Sequence, residues 1–202
     1  MITLEQGTRL ISLARSSIES SFSEKNIETL EMKKALNAKE FSKKQGAFVT
    51  LYTYPTKELR GCIGLPYPTT KLAQAIIEAA RSSAFEDPRF MPLTEEEYKD
   101  IRIEISVLTP PELIDCKADE LAKNIKIGKD GLIIKYNEFS GLLLPQVPVE
   151  ENWSAEKFIE QTCQKAGLPR TIWKNKDCHF YKFQAQIFSE DKPRSKVVEK
   201  KF

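Results

Sequence analysis

Residues 47–64 read AFVTLYTYPTKELRGCIG, and this stretch decides the predicted fold class. Its first part, AFVTLYTY, is rich in β-branched and aromatic residues, which favours a strand. The short turn PTKE follows, and we interpret LRGCIG as the strand that returns from it. Two strands joined by so short a turn predict an antiparallel hairpin, because parallel strands need a longer crossover.

The rest of the chain extends this pattern in both directions. Further strands are predicted at residues 101–108, at 125–136 as two strands around a tight Asp130-Gly131 turn, in GLLLPQVP and in FYKFQAQIF. Helices are predicted at residues 3–22, after a cap at Thr70, in one turn with the capping-box pair Thr94 and Glu97, and from Ser154 to Ala166. Hairpins outnumber strand–helix–strand units, so we expect an α+β fold with mostly antiparallel sheets and helices packed on one side.

Size and charge narrow the class of protein. The chain has 202 residues, which fits one domain or one domain made of two lobes. Lysine and arginine number 31 against 29 acidic residues, a net charge of +2 that gives little attraction to nucleic acid or to a membrane. The sequence lacks an apolar run of the ~20 residues that a membrane span needs and the pattern of a signal peptide, so we expect a cytoplasmic protein.

The cysteine and histidine content argues against a metal site. Cys62, Cys116, Cys163 and Cys178 lie far apart with no C-x-x-C pair, so we expect free thiols and no zinc. His179 is the only histidine, which limits any thiol–imidazole mechanism to one base. The sequence also lacks the glycine-rich nucleotide motifs and H-E-x-x-H, so any cofactor is unknown.

The segment LRGCIG has two possible interpretations. If it is a strand, Arg60 and Cys62 project from the same face, where the cation would lower the pKa of the thiol. Gly61 and Gly64 would then leave room for another backbone or for a ligand. The simpler interpretation, which the segment alone favours, is an inert cysteine in a glycine-kinked strand.

Seven segments together resemble the AMMECR domain family, which takes its name from the chromosomal region of the AMME contiguous deletion syndrome. They occur in family order between about residues 46 and 173: GAFVTL, ELRGCIG, DPRF, IEISVLTP, IGKDGL, GLLLPQV and CQKAGL followed by a tryptophan. The resemblance implies one domain over residues 1–190, made of two subdomains with a cleft between them, and a charged, flexible tail at 191–202. Asp130 stands where many members carry a histidine, so that histidine has no counterpart here.

The resemblance also implies the candidate site. The matching residues with chemistry are Arg60, Cys62, Asp87, Arg89, Glu104, Ser106, Gln146, Cys163 and Lys165. We assign Cys62 and Glu104 catalytic roles and assign ligand binding to five others, which are Arg60, Asp87, Arg89, Ser106 and Gln146. Structural roles compete with these assignments, because Asp87 precedes a proline in a turn, Cys163 lies beside an apolar helix face and Lys165 complements a helix dipole.

Three functions follow as hypotheses. The first is binding of a small anionic ligand, or catalysis of a reaction, at a cleft lined by LRGCIG. Arg60 and Arg89 would converge there and lower the pKa of Cys62 if the cleft is open to water. The second is a protein-binding adaptor, and nucleic-acid binding is a less favoured third. The family has no settled activity, and its association with Memo-type and radical-SAM proteins implies a protein partner from such a pathway.

Overall fold

A computed structural model describes residues 1–23 and 28–201, and its fold is α+β, as predicted. The helices are α1 (Leu4–Phe22), α2 (Leu30–Asn37), α3 (Leu72–Phe85), α4 (Glu95–Tyr98), α5 (Val147–Glu150) and α6 (Ala155–Lys165). The strands are β1 (Ala47–Thr53), β2 (Leu59–Leu65), β3 (Ile101–Leu108), β4 (Glu112–Leu113), β5 (Gly131–Tyr136), β6 (Phe139–Leu143), β7 (His179–Phe183), β8 (Ala185–Glu190) and β9 (Val197–Lys200). In the described part of the chain, none of the helices has the length and apolar character needed to cross a membrane.

Contacts divide the chain into two compact units. Unit 1 consists of residues 1–108 and 186–201, and unit 2 consists of residues 109–185. Unit 1 contains a five-stranded sheet in the order β2-β1-β3-β8-β9, and unit 2 contains a four-stranded sheet in the order β4-β7-β5-β6. Unit 1 is therefore built from two segments that are far apart in the sequence.

The predicted hairpin forms the edge of the unit 1 sheet. β1 runs antiparallel to both β2 and β3, so it is sandwiched between them. Val49 and Leu51 of β1 and Ile103 of β3 are buried in one apolar cluster with residues of α1 and α3. Because strand side chains alternate between faces, the residues between these point to the opposite face.

Helix caps follow the sequence with one exception. The capping box of Thr94 and Glu97 begins α4 as predicted. The predicted cap at Thr70 is wrong, because α3 is preceded by Lys71 and has no side-chain cap. The backbone of this segment pairs instead with residues 43–45, where Leu72 donates to the Lys43 carbonyl at 2.9 Å.

Unit 2 has its own core. Its antiparallel pairs β5–β6 and β5–β7 pack against α6, and Leu132, Ile134 and Phe158 are buried between them. Ser154 caps α6 as predicted, and its hydroxyl accepts the N–H of Lys157. Gly167 follows the helix with a φ of +74°, the left-handed conformation that favours glycine.

Four predicted segments differ from the structure. GLLLPQVP is a strand only as far as Leu143, and its last residues begin α5. Residues 125–126 have no regular structure and residues 127–129 form a turn rather than a strand, and the Asp130 carboxylate accepts the N–H of Lys126 at 2.9 Å and holds the chain there. FYKFQAQIF divides at Gln184 into β7 and β8, which belong to different sheets. The segment predicted as a flexible tail contains β9, which pairs with β8.

Candidate functional site

Three polar side chains lie side by side on the face of the unit 1 sheet opposite α1 and α3. The register pairs Thr50 of β1 with Cys62 of β2 on one side and with Glu104 of β3 on the other. We call these three residues the thiol row. Ser106 lies in the neighbouring row of the same face, because it pairs with Phe48.

The two glycines of LRGCIG serve packing. A Cβ atom on Gly61 would lie 2.1 Å from the carbonyl oxygen of Ser83 in α3, so only glycine lets the helix approach the strand. A Cβ atom on Gly64 would lie 2.3 Å from the Ala47 carbonyl oxygen and 2.5 Å from the Phe48 ring. The room that they provide is therefore taken by protein atoms.

The Cys62 thiol is half-buried and neutral in character. Its sulfur lies 3.2 Å from the Thr50 hydroxyl. Burial raises the pKa of the thiol, whereas Thr50 and the Arg89 charge lower the pKa by less, and the Asp87 and Glu104 charges add to the increase. The expectation of a lowered pKa is therefore wrong for this environment, since desolvation dominates.

Asp87 and Arg89 hold the backbone of Cys62. The buried Asp87 carboxylate accepts the Cys62 N–H at 2.9 Å and two side-chain bonds from Arg89, at 2.9 Å from Nε and 2.6 Å from Nη2. The Arg89 guanidinium holds the pKa of Asp87 well below its usual range. Arg89 Nη2 also lies 3.4 Å from the Cys62 carbonyl oxygen, and 47% of the Arg89 side chain is exposed.

Arg60 is directed elsewhere. The register between β1 and β2 shifts at this point, so Arg60 is the extra residue of a β-bulge. Its guanidinium contacts the Glu97 carboxylate at 3.2 Å and the Met91 carbonyl at 2.9 Å. Its described contacts do not include Cys62, so the predicted pairing of this arginine with the thiol is not observed. Arg60 and Arg89 meet instead at Phe90, with their guanidinium carbons 5.6 and 5.4 Å from the ring centroid.

Glu104 is a buried carboxylate whose ion-pair partner lies far from it in the sequence. Only 3% of Glu104 is exposed, and Lys200 Nζ of β9 lies 2.6 Å from its Oε2 as an ion pair without hydrogen-bond alignment. Two strand spacings separate the backbones of Glu104 and Cys62 by about 10 Å. Thr50 of β1 therefore lies between Glu104 and Cys62.

The other candidates lie in unit 2. Gln146 precedes α5 and is buried, and its Oε1 has no hydrogen-bond partner within residues 1–23 and 28–201. Cys163 is fully buried in the unit 2 core, as its structural interpretation predicted, and burial raises its pKa to about 12. Lys165 is exposed in the last turn of α6, and His179 is exposed at the start of β7.

Sequence reasoning missed two members of the site. Thr50 has the strand parity that places it beside Cys62, and the alternation in AFVTLYTY could have identified it. Lys200 lies in the segment interpreted as a tail, and no local sequence pattern indicates that it pairs with Glu104. Among the described residues, no three or more His, Cys, Asp or Glu side chains form a group that could hold a metal ion.

The fold and this polar face define an α+β protein with a protonated thiol beside a hydroxyl and a buried carboxylate. The family model AMMECR1 matches residues 11–188, and the chain belongs to this family. Its relatives include the protein MJ0810 of Methanocaldococcus jannaschii, 49% identical over 100% of this chain and 98% of that protein. A relative in Aquifex aeolicus is 45% identical over 93% of this chain and 94% of that protein.

A solved structure has the same fold. The crystal structure of the uncharacterized protein PH0010 from Pyrococcus horikoshii is 44% identical, with a TM-score of 0.92. The match covers 100% of this chain and 99% of that chain.

Proposed function

We propose that unit 1 binds a small anionic molecule beside the thiol row, with Arg89 as the group that attracts it. The observation that carries the proposal is the position of Arg89. Asp87 fixes its guanidinium next to Cys62, yet almost half of the side chain is exposed. A guanidinium held in one orientation is a favoured partner for a carboxylate or phosphate group.

The rest of the face suits the body of such a ligand. Thr50 is buried with its hydroxyl against the thiol, and the half-buried Cys62 offers a protonated thiol that can donate a weak hydrogen bond. The buried Glu104–Lys200 pair keeps its charges compensated, so it does not repel an anion as a lone carboxylate would. Binding is favoured over thiol catalysis, because a thiol with a raised pKa is a poor nucleophile near neutral pH.

The test begins with the molecule that purified protein retains. We expect denaturation to release a small acid that mass spectrometry detects. A thermal-shift series with inorganic phosphate, pyrophosphate and small mono- and dicarboxylates should then identify the anionic group. Arg89→Gln should abolish the shift, because it removes the cation, and Arg89→Lys should retain part of it.

Arg9→Gln is the matched control. The Arg9 side chain is also 47% exposed and also pairs with a carboxylate, that of Glu40. A ligand seated beside the thiol row should slow alkylation of Cys62, followed by peptide mapping, and leave Cys116 and Cys178 unchanged. The proposal fails if Arg89→Gln binds as well as the native protein, or if no anion in the series protects Cys62.

A further inference from the structure

Unit 2 contains a cavity that is built from its own residues. Its volume is about 350 Å³, and it lies among the 3-10 helix Ala118–Asn124, the 3-10 helix Ile172–Lys174 and the residues before β7. Small-molecule sites generally have volumes of about 300–1,000 Å³. Ile114, Leu121 and Phe180 form its apolar floor and belong to the unit 2 core.

The walls of this cavity are held in place by backbone and side-chain hydrogen bonds. Ile114 donates its N–H to the Phe180 carbonyl at 2.8 Å, which extends the β4–β7 pairing into the floor. The loop on the other side is closed by Asn175, whose side-chain oxygen accepts the N–H of Asp177 and whose carbonyl accepts the N–H of Cys178. A site whose walls are ordered beforehand costs little conformational entropy to fill.

The charged residues that line the cavity are all basic. They are Lys117, Lys174 and Lys176. Among the residues that the structure describes, none of these three lysines forms an ion pair with a carboxylate, whereas other lysines of the chain do. These exposed ammonium groups beside an apolar floor are available to a ligand that carries negative charge.

Neighbouring carboxylates decide which side of the cavity is positive. Asp115, Asp119 and Glu120 lie near the Cys116 thiol, whose pKa is raised by burial first and by these charges in addition. They are exposed and do not line the cavity, and the exposed Asp177 does not line it either. The positive side is therefore the one formed by Lys174 and Lys176.

An aromatic wall adjoins that positive side. Trp173 lines the cavity, and Lys174 Nζ lies over one face of its ring, 5.3 Å from the centroid, so a ligand would stack on the part of the indole that the ammonium leaves open. A flat ring system can stack on an indole, while an attached anionic group contacts the ammonium beside it. A tryptophan next to unpaired lysines favours a ligand with both features over a bare inorganic anion.

We propose that this cavity binds a small planar organic anion, with its rings against Trp173 and Phe180 and its charge beside Lys174 and Lys176. The site uses residues of unit 2 only and does not depend on the function proposed for unit 1. The ligand class is an aromatic or heteroaromatic carboxylate, sulfonate or phosphate.

The test uses a pair of fluorescent probes that differ in charge. The first is 1-anilinonaphthalene-8-sulfonate, and the second is N-phenyl-1-naphthylamine, which has the same rings without the sulfonate. We expect one equivalent of the sulfonate to bind to the full-length protein, with clearly weaker binding of the neutral probe. Lys174→Gln combined with Lys176→Gln should weaken the sulfonate about fivefold and leave the neutral probe unchanged, because only the charge contacts are lost.

Two further variants make the outcome decisive. Lys126→Gln combined with Lys129→Gln removes two exposed lysines of unit 2 that do not line the cavity, and it should leave both probes unchanged. Ala118→Phe fills the cavity and should prevent binding of both probes. The bound sulfonate should also slow alkylation of Cys116 and Cys178, which line the cavity, and leave Cys62 unaffected.

Three results would overturn the proposal. They are equal binding of the charged and neutral probes, equal loss in the two lysine double variants, and absence of saturable binding. Because the lysines are exposed, their variants should fold, so the comparison remains available even if Ala118→Phe does not fold.

Discussion

At the scale of single residues, Cys62 is controlled by burial more than by its charged neighbours. Its pKa is raised although Arg89 lies close by, because transferring a thiolate out of water outweighs one partly exposed cation. Burial is also the largest cause of the raised pKa of Cys163, which is fully buried and has a pKa of about 12.

Alkylation of Cys62 should therefore become fast only at a higher pH than alkylation of a free cysteine, whose pKa is about 8.5. Thr50→Val should move the profile to still higher pH, because the Thr50 hydrogen bond lowers the thiol pKa. Peptide-mapped alkylation rates between pH 6 and 11 would measure both profiles. Arg60→Ala serves as the control and should leave the profile unchanged, so a slower rate in that variant would contradict the described geometry.

The sequence identified residue types more reliably than it identified partners. Alternation placed Cys62, Glu104 and Ser106 on strands, and their faces follow from strand parity. The partners that define their chemistry come from elsewhere in the chain, since Lys200 reaches Glu104 across β8 and the bulge directs Arg60 to Glu97. Such contacts depend on tertiary register, which local patterns do not encode.

At the scale of elements, two devices hold β2, the edge strand of its sheet. One is the turn at residues 87–90, in which Asp87 binds the outer N–H of Cys62. The other is Ser83 of α3, whose hydroxyl donates to the Val49 carbonyl at 2.7 Å and accepts the Ile63 N–H at 2.8 Å. Asp87 satisfies an N–H that the edge strand would otherwise leave unpaired, and Ser83 bridges the paired residues Val49 of β1 and Ile63 of β2.

Asp87→Asn should lower the free energy of unfolding at pH 7 by about 1.5–3 kcal/mol, the usual value for hydrogen bonds to a charged group. The pKa of Asp87 is depressed in the folded state, so its contribution is complete above the unfolded pKa of about 3.9. This contribution is lost as the pH falls through the pKa of the folded state. The difference in unfolding free energy between native protein and variant should therefore narrow below about pH 4. Urea unfolding at several pH values checks this.

Asp115→Asn is the control for that experiment, because Asp115 is exposed. It should change the stability by less than about 0.5 kcal/mol at every pH. If the difference in unfolding free energy between native protein and Asp87→Asn widens in acid, the assigned direction of the pKa shift is contradicted.

Ser83→Ala should destabilise the protein by about 1–3 kcal/mol, because it removes two buried or half-buried hydrogen bonds between α3 and backbone groups of the sheet. Ser82→Ala is the matched change one residue earlier, where the hydroxyl donates to the Glu86 side chain at the surface. Its effect should stay within about 0.5 kcal/mol. Equal losses in chemical denaturation would mean that the Ser83 bridge contributes nothing specific.

At the scale of the whole molecule, unit 1 depends on a buried ion pair between its two segments. Arg15 of α1 contacts both carboxylate oxygens of Glu190 in β8, at 2.6 and 2.5 Å, and also the Ile101 carbonyl. The same carboxylate accepts the N–H of Ile103 at 2.9 Å. Removing one member of such a pair generally costs more than the pair contributes, because the other charge remains buried.

Glu190→Gln should therefore destabilise unit 1 by about 3–5 kcal/mol. Cys62 reports on unit 1, whereas both tryptophans, Trp153 and Trp173, lie in unit 2. Pulsed alkylation of Cys62 should show that the unfolding midpoint of unit 1 moves to a lower urea concentration. Tryptophan fluorescence serves as the internal reference for unit 2. Glu199→Gln, at an exposed position of β9, should leave the Cys62 transition in place.

The two-segment construction of unit 1 also sets an order of events on the ribosome. β3 leaves the exit tunnel long before β8, its neighbour in the finished sheet, and residues 109–185 are synthesised in between. Until residues 186–201 emerge, one edge of β3 is unpaired and Arg15 lacks its carboxylate partner. The unit whose synthesis starts first is thus the last to be completed, and nascent chains expose this open edge for the whole time that unit 2 is being made.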